Sequence, residues 1–529
     1  MRLVRLAGAL FGVLGVLASP RAHADLLTRV LAQGADTTGP GATPPSATPP
    51  VGVDNLASWA GPARATSLPA LLQLAVRQAP ALASARIDIA IAEARIQQSY
   101  ARDDWQIRSQ IFASRSSGIF NGQELDRSLL ATATVDLSRA LPTGGTFTLH
   151  AGTQYQDIEY SDPLVDDVFG GTTWAHEVSA GIIQPLLRGR GRWLYEANER
   201  RATISRDAVV LGRRVAAIAA VQTVISAYWD LVLAERQVAI TQASLDLARE
   251  RLRITQIGNQ GGKVPRSEIP AVQQIIATRE EDVLNGELAV LDRSIEVRRA
   301  VGLTIGEGEL ALRVGSDLAT RDTTWDLGQL TERAFAASPE LAQLAKQDQL
   351  AKLEIDITEN GLLPQLDAAL SGGPTGQDGN FGTAGENLAT FKTLSITGSL
   401  TLQHSFGQEN VRGLAREQRE NRKKLQVTTF DVRAQIAQTM ARAVAQLELA
   451  RRRVALSERA IALANENIKV EADRFNLGKA TNFDVLNRQE ELRQAELRRA
   501  QAMIDWHKAE TVVQALTGDI LPTYGIKVD

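Results

Sequence analysis

The sequence predicts a mainly α-helical protein with a β portion, built from long helical hairpins and from strands that make a membrane barrel only when several copies pool them. Three observations predict this: two long proline-free helical tracts, an internal duplication that contains them, and runs of two-residue alternation downstream of a secretory signal. With 529 residues, 44% of them apolar and 22% charged, the chain is long enough to bury a large core. No cysteine is present, which excludes disulfides, thiol chemistry and a lipidated cysteine after signal cleavage. The formal charge of −3 argues against nucleic acid as a partner.

The elements follow in order. Residues 1–24 read as a signal peptide: Arg2 and Arg5, an apolar run from Leu6 to Leu17, then Ala22-His23-Ala24 before Asp25. That run is too short to cross ~30 Å of hydrocarbon as an anchor. Scanning the rest predicts no membrane-spanning helix; the longest apolar helical stretch, Val215 to Trp229, is broken by Gln222, Thr223 and Ser226. Residues 25–66, rich in Pro, Gly, Thr and Ala, read as a flexible lead-in.

Leu68 to Leu82 matches Leu327 to Leu341 at an offset of 259, and Gly262-Lys263-Val264 to Ile269 matches Gly478-Lys479-Ala480 to Val485 at an offset of 216. The first half therefore holds 43 more residues between these blocks. This gives a first repeat over 67–302, a connector over 303–325, a second repeat over 326–518 and a tail over 519–529. No proline falls between Pro185 and Pro265 or between Pro374 and Pro522, and good helix formers dominate both tracts. Met440, Leu447, Val454, Ile461, Ile468 and Phe475 recur every seven residues, with Ala443, Ala450, Ser457 and Ala464 between them, a coiled-coil seam of large and small residues. Helices over about 408–477 and 191–257 would each be roughly 100 Å long. Glycines 258, 261, 262 and 478 end them, and a second helix starts near Glu268 or Asp484.

Ahead of each long helix the period changes to two. In Thr393 to Phe406, Leu394, Ile396, Leu400, Leu402 and Phe406 alternate with Thr, Ser and Gln. The first half offers 105–113, 129–141, 145–153 and 176–184, the middle pair joined as a hairpin through Pro142-Thr143-Gly144-Gly145. That hairpin accounts for the 43 surplus residues. Open sheet edges are forbidden in lipid and small barrels need about eight strands, so copies must share a barrel, each giving four strands, or six if the extra hairpin joins the wall.

These residues resemble the TolC family of outer membrane efflux proteins over about 67–518. The marks are the paired Leu-Pro and Pro-x-Leu helix starts, the strand-breaking Leu363-Pro364-Gln365-Leu366, the Gln184-Pro185-Leu186-Leu187 exit into the long helix, and the two Gly-x5-[Asp/Glu]-[Val/Ile] tips. The resemblance implies a homotrimer, with a transmembrane β-barrel assembled from three protomers continuous with an α-helical tunnel, in the outer membrane and extending into the periplasm. It implies the exit duct of a tripartite efflux pump or type I secretion system, with outer membrane lipid, a periplasmic adaptor and an inner membrane transporter of RND, ABC or MFS type as partners. It also implies a pore constriction at Asp484 and Asn487, Asn487 standing where a second Asp is often found. Tip turns and adaptor contacts then fall on Gly262, Lys263, Val264, Glu268, Gly478, Lys479 and Ala480. Ala480 occupies the place of the family's basic latch, so that link is absent in its usual form.

On physical grounds, three Asp484 side chains near one axis would favour cations in a narrow mouth, while a single Asp484 at a helix N-terminus would interact with the helix dipole. No enzyme, nucleotide site, metal site or cofactor is expected: Ile257 and Val264 break the phosphate-loop pattern around Gly262-Lys263, and no Gly-x-Ser-x-Gly occurs. The histidines at 150, 176, 404 and 507 read as solvated or lumenal, and Arg188, Arg190 and Arg192 as facing headgroups or periplasm. The competing readings are a periplasmic coiled-coil adaptor or scaffold without a channel, and a secreted hydrolase with helical insertions.

Overall fold

The computed structural model describes residues 64–120, 123–303, 312–314 and 324–527. The expected signal peptide, almost all of the lead-in and most of the connector lie outside the described residues. In chain order the elements are β1 (Arg64–Thr66), α1 (Leu68–Gln78), α2 (Pro80–Ser99), β2 (Gln106–Phe120), β3 (Gln123–Ala140), β4 (Thr146–Tyr160), α3 (Pro163–Phe169), β5 (Gly171–Pro185), α4 (Arg192–Tyr195) and α5 (Ala197–Gln260). They continue with α6 (Glu268–Val301), β6 (Leu312–Val314), α7 (Leu327–Ala337), α8 (Pro339–Asn360), β7 (Gln365–Asp378), α9 (Phe381–Ala389), β8 (Thr393–Gln403), α10 (Glu409–Asn476), α11 (Asn482–Leu516) and α12 (Ile520–Thr523).

The chain forms two units. One is the β unit, 102–192 with 364–404, of which 121 and 122 lie outside the described residues; the other is helical, and its described residues are 64–101, 193–303, 312–314, 324–363 and 405–527. In the helical unit the duplication is visible element by element. Pro80 and Pro339 each open a second helix, where a missing amide costs nothing, and the equivalent Leu82 and Leu341 are both buried. α5 and α10 hold 64 and 68 residues, about 100 Å at ~1.5 Å per residue. α5 starts six residues later than expected because Gly189 and Gly191 take left-handed φ values ahead of the single turn α4.

The seam read from α10 is where it was expected: Met440, Ala443, Leu447, Ala450, Val454, Ser457 and Ala464 are buried. The same register, 216 residues earlier, buries Val224, Leu231, Ala234, Thr241, Leu245, Ala248 and Thr255 in α5. α6 returns along α5 and α11 along α10, so each repeat is a helical hairpin. One core gathers Val221, Val224, Ile225 and Leu231 of α5 with Val297 and Val301 of α6 and Ile504 of α11; a second gathers Met440, Ala443 and Leu447 of α10 with Trp506 and Val513 of α11. Against expectation, α5 contains a stretch long and apolar enough to cross a membrane by length and composition. Val221, Val224, Ile225, Tyr228 and Leu231 of this stretch enter the core, while most of the stretch is not buried within one chain.

The β unit is one six-stranded antiparallel sheet in the order β2-β3-β4-β5-β7-β8. The strands outrun their expected ends: β3 begins at Gln123 and β4 runs on to Tyr160, through polar stretches whose alternation is weak but whose ladder partners are regular. Leu363-Pro364-Gln365-Leu366 opens a strand, β7, rather than breaking one, with Gln365 paired to Gln403. The extra hairpin is in the sheet, β4 pairing with β5 from Thr146↔Ile183 to Ile158↔Gly171.

Candidate functional site

Two regions carry the candidate function, one in each unit: the faces of the sheet and the tips of the helical hairpins.

Register makes the sheet two-faced. Side chains directly opposite in a ladder point the same way, so one line of pairs joins Ile107, Leu137, Leu149, Ala180, Gly372 and Ile396 on one face. Along each strand that face adds Ile111, Leu129, Val135, Phe147, Val178, Ile182, Leu370, Leu394, Leu400 and Leu402. The opposite face carries Arg108, Thr134, Asp136, His150, Glu177, Ser179, Ser371, Thr397 and Ser399. The apolar face has an aromatic group at each end. At the end where the chain enters and leaves the sheet, Trp105 meets Phe147 edge-on at 6.1 Å, with the Arg139 guanidinium 5.5 Å from the Trp105 ring. At the far end Tyr155 and Trp174 lie 4.7 Å apart, and Trp174 meets Phe381 of α9 at 4.9 Å. Phe147 and Tyr155 are eight residues apart on β4, roughly 26 Å along the strand, or about 20 Å of height at the ~40° tilt of barrel strands, against an apolar band of ~25 Å between the aromatic girdles of a membrane barrel.

Of the histidines expected to be solvated or lumenal, His404 is exposed and His150 lies on the polar face of the sheet, whereas His176 and His507 are covered. On the polar face His150 Nδ1 lies 2.6 Å from Asp136 Oδ1 and its Nε2 2.8 Å from Glu177 Oε1, a rung across three strands. His176 is buried on the apolar face beneath α9, Nδ1 2.8 Å from Thr153 Oγ1 and Nε2 3.2 Å from the Phe381 carbonyl. His507 stacks on Trp229 with ring centroids 4.0 Å apart, inside the helical unit. Arg188 is tied into the β unit, its amide donating to the Pro364 carbonyl at 3.3 Å and its guanidinium to Gln365 Oε1.

At the tips the duplication reaches individual hydrogen bonds. The amide of Lys263 donates to the Gly258 carbonyl and that of Lys479 to the Arg474 carbonyl, each at 2.8 Å. The preceding Gly262 and Gly478 sit at φ +70° and +67°, the left-handed conformation that closes such a helix end and that only glycine adopts without strain. Gly262, Lys263, Gly478 and Lys479 are exposed, while Val264 and Ala480 are partly covered. Val264 leans on Gly258, where a Cβ would come within 2.8 Å of its Cγ2.

Asp484 closes a capping box. Its Oδ2 accepts from the Thr481 amide and from the Thr481 hydroxyl, both at 2.8 Å, while Thr481 Oγ1 accepts from the Asp484 amide at 3.3 Å. These bonds from Thr481, with Arg474 and Arg488 nearby, hold the Asp484 carboxyl below the usual carboxylate range. Asn487, one turn on, is exposed on the same side of the helix. Glu268 accepts from Asn482 Nδ2 at 3.0 Å, linking the two hairpins at their tips; Asn482 is 1% exposed and its Oδ1 has no protein partner.

A further feature escaped the sequence reading. Leu449, Leu456, Leu463 and Val470 on α10, with Leu477 just past its end, recur every seven residues, two positions past the seam, and each is 50–70% exposed. The corresponding positions of α5 include Leu247 and Ile254, also exposed. A second apolar stripe therefore runs along α10, and the duplication preserves part of it on α5, where the equivalent Leu233 instead packs against the core. In sequence it was hidden because an inward and an outward stripe have the same period.

A family model described as outer membrane efflux protein matches residues 71–303 and 330–519. Among solved structures, the outer-membrane channel OprN is 13% identical, with a TM-score of 0.64 over 92% of this chain and 99% of that one. The Campylobacter jejuni CmeC outer membrane channel is 12% identical, with a TM-score of 0.61 over 85% of each chain. The open-state MtrE outer membrane channel of Neisseria gonorrhoeae is 14% identical, with a TM-score of 0.60 over 86% of this chain and 89% of that one. A search of curated proteins returns no match. The paired helical hairpins, the two-faced sheet and a family match over both repeats give one conclusion: the chain belongs to the outer membrane efflux protein family.

Proposed function

We propose that the protein is a trimeric channel-tunnel in the outer membrane that extends into the periplasm and serves as the exit duct of a tripartite efflux pump or type I secretion system. The duct is passive; an inner membrane transporter of the RND, ABC or MFS type drives it through a periplasmic adaptor, and the protein performs no catalysis. The observation that carries this reading is the sheet, whose apolar face bears aromatic groups at both ends while its opposite face is polar. A scaffold without a channel has no use for such a wall. The outward stripe on α5 and α10 supports assembly from several copies, since it leaves large apolar side chains uncovered in one chain.

In this reading the tip turns at Gly262, Lys263, Val264, Glu268, Gly478, Lys479 and Ala480 meet the adaptor, and Asp484 with Asn487 narrows the entrance. The capping box leaves Asp484 ionised, so its charge serves cap and mouth together. The test is fractionation of cells expressing the full chain, followed by unheated gel electrophoresis of the detergent extract. A trimer in the outer membrane fraction is the expected result; a soluble periplasmic monomer would overturn the reading.

A further inference from the structure

Resting on the trimeric reading, we infer that each copy contributes all six strands to the barrel wall, so that three copies close an eighteen-stranded barrel through antiparallel pairing of β8 with β2 of the next copy. The partner at the open sheet edge is a second copy of this chain.

Four observations carry this. The first is continuity: the ladders β2-β3, β3-β4, β4-β5, β5-β7 and β7-β8 run the length of the sheet, with register shifts only near the far ends of β2 and β3. The second is facing. A hairpin projecting from the barrel has no reason to share its alternation, yet Leu129, Ala131, Ala133, Val135 and Leu137 of β3 keep to the same face as Leu394, Ile396, Leu400 and Leu402 at the opposite edge. The aromatic groups use the extra strands too, through Phe147 and Tyr155 of β4.

The third observation is the turn of the hairpin between β3 and β4, which is bolted to the exit of β5. Thr143 Oγ1 donates to Gln184 Oε1 at 2.6 Å, the Gln184 amide group donates to the Thr143 carbonyl at 3.1 Å, and the Gly191 amide donates to that carbonyl at 2.9 Å. Gly144, at φ +90°, approaches so closely that a Cβ would stand 2.2 Å from the Gly189 carbonyl oxygen. The fourth is the pair of edges. β2 and β8 run in opposite directions, as an even number of antiparallel strands requires, and each presents large apolar side chains to the open: Ile107 and Ile111 at 74% and 73%, Leu400 and Leu402 both at 67%. In hydrocarbon an unpaired edge leaves backbone donors and acceptors without partners, so the sheet must close on another copy.

Barrel diameter grows roughly linearly with strand number, so six strands per copy give a wall about 1.5-fold wider than four. Conductance is a poor readout, because the narrowest point of a duct dominates its resistance. Electron cryomicroscopy of the full-length protein in lipid nanodiscs counts the strands directly. Eighteen strands, with β8 beside β2 of the neighbouring copy, is the expected result. A trimer with twelve strands and a detached hairpin would overturn this inference while leaving the duct reading standing; particles that are not trimers would overturn both.

Discussion

The outward stripe on α10 gives a sharp test of assembly. Leu456 and Leu463 are 63% and 61% exposed in one chain. Fully burying a leucine side chain is worth roughly 1.5–3 kcal/mol, so covering what remains open on each contributes roughly 1–2 kcal/mol. Two such side chains in each of three copies sum to roughly 6–12 kcal/mol, an upper figure because neighbours relax. The double variant L456A/L463A should therefore lower the temperature at which detergent-extracted trimers fall to monomers on a gel, with samples warmed stepwise before loading. Helix content of the separated chains should stay near that of the unaltered protein, because neither side chain packs in a core. Leu447→Ala is the control: Leu447 is 1% exposed, and its truncation costs about 2–5 kcal/mol in the hairpin of each chain regardless of assembly. If trimers of the double variant dissociate at the same temperature as the unaltered protein, the stripe is not a subunit interface.

Three further outcomes are expected. Asp484 has a carboxyl pKa lowered in the folded chain, so its contribution to the tip is present above the ordinary carboxylate range and is lost as pH falls through the lowered value; amide exchange at Thr481 and Asp484 followed downward in pH should show late opening, and Thr481→Ala should raise exchange there at neutral pH by about 1 kcal/mol of lost cap. Asp484→Asn removes the charge and keeps an acceptor, so in planar bilayers it should weaken block by multivalent cations more than Thr481→Ala does; equal block in both variants would take Asp484 out of the constriction. Asn482→Ala deletes the hydrogen bond to Glu268 at the tips, and the variant channel should spend more time open, with the sign reversed or absent if that bond does not hold the two hairpins together.

What could be read from residues alone divides along physical lines. The seam of α10 was legible because a buried large-and-small alternation over many heptads has few other uses, and the tips because glycine next to a following acid marks a helix end and a helix start. β7 was missed as a strand: Gly372, Gly373 and Pro374 erase side-chain alternation in its middle, and only its partners β5 and β8 reveal it. The short helices α3 and α9 were missed because seven and nine residues are too few for a period to show. α9 is nevertheless fitted closely, since a Cβ on Gly376 would stand 2.1 Å from the Ala384 carbonyl oxygen. The capping box was half legible, with Thr481 three residues before Asp484, but the choice between a helix cap and a pore charge rests on where the carboxylate points. His176 and His507 were misjudged for the same reason: a lone histidine carries no sign of what will cover it.

The sheet also dictates a sequence of events during synthesis. β2 to β5 lie within one stretch of chain and can pair as they emerge, each ladder closing a short loop. The β5-β7 ladder joins Trp174 to Asp378 and Pro185 to Asp367, so it waits until the whole first helical hairpin and the two helices after it have been made. For that interval the β5 edge is bare and two of the six strands of the apolar face are missing. Insertion into lipid before β7 and β8 arrive would bury that edge unpaired. The order of the chain thus places a waiting period before insertion, in which four of the six strands stand with an open edge that only the distant β7 and β8 can close.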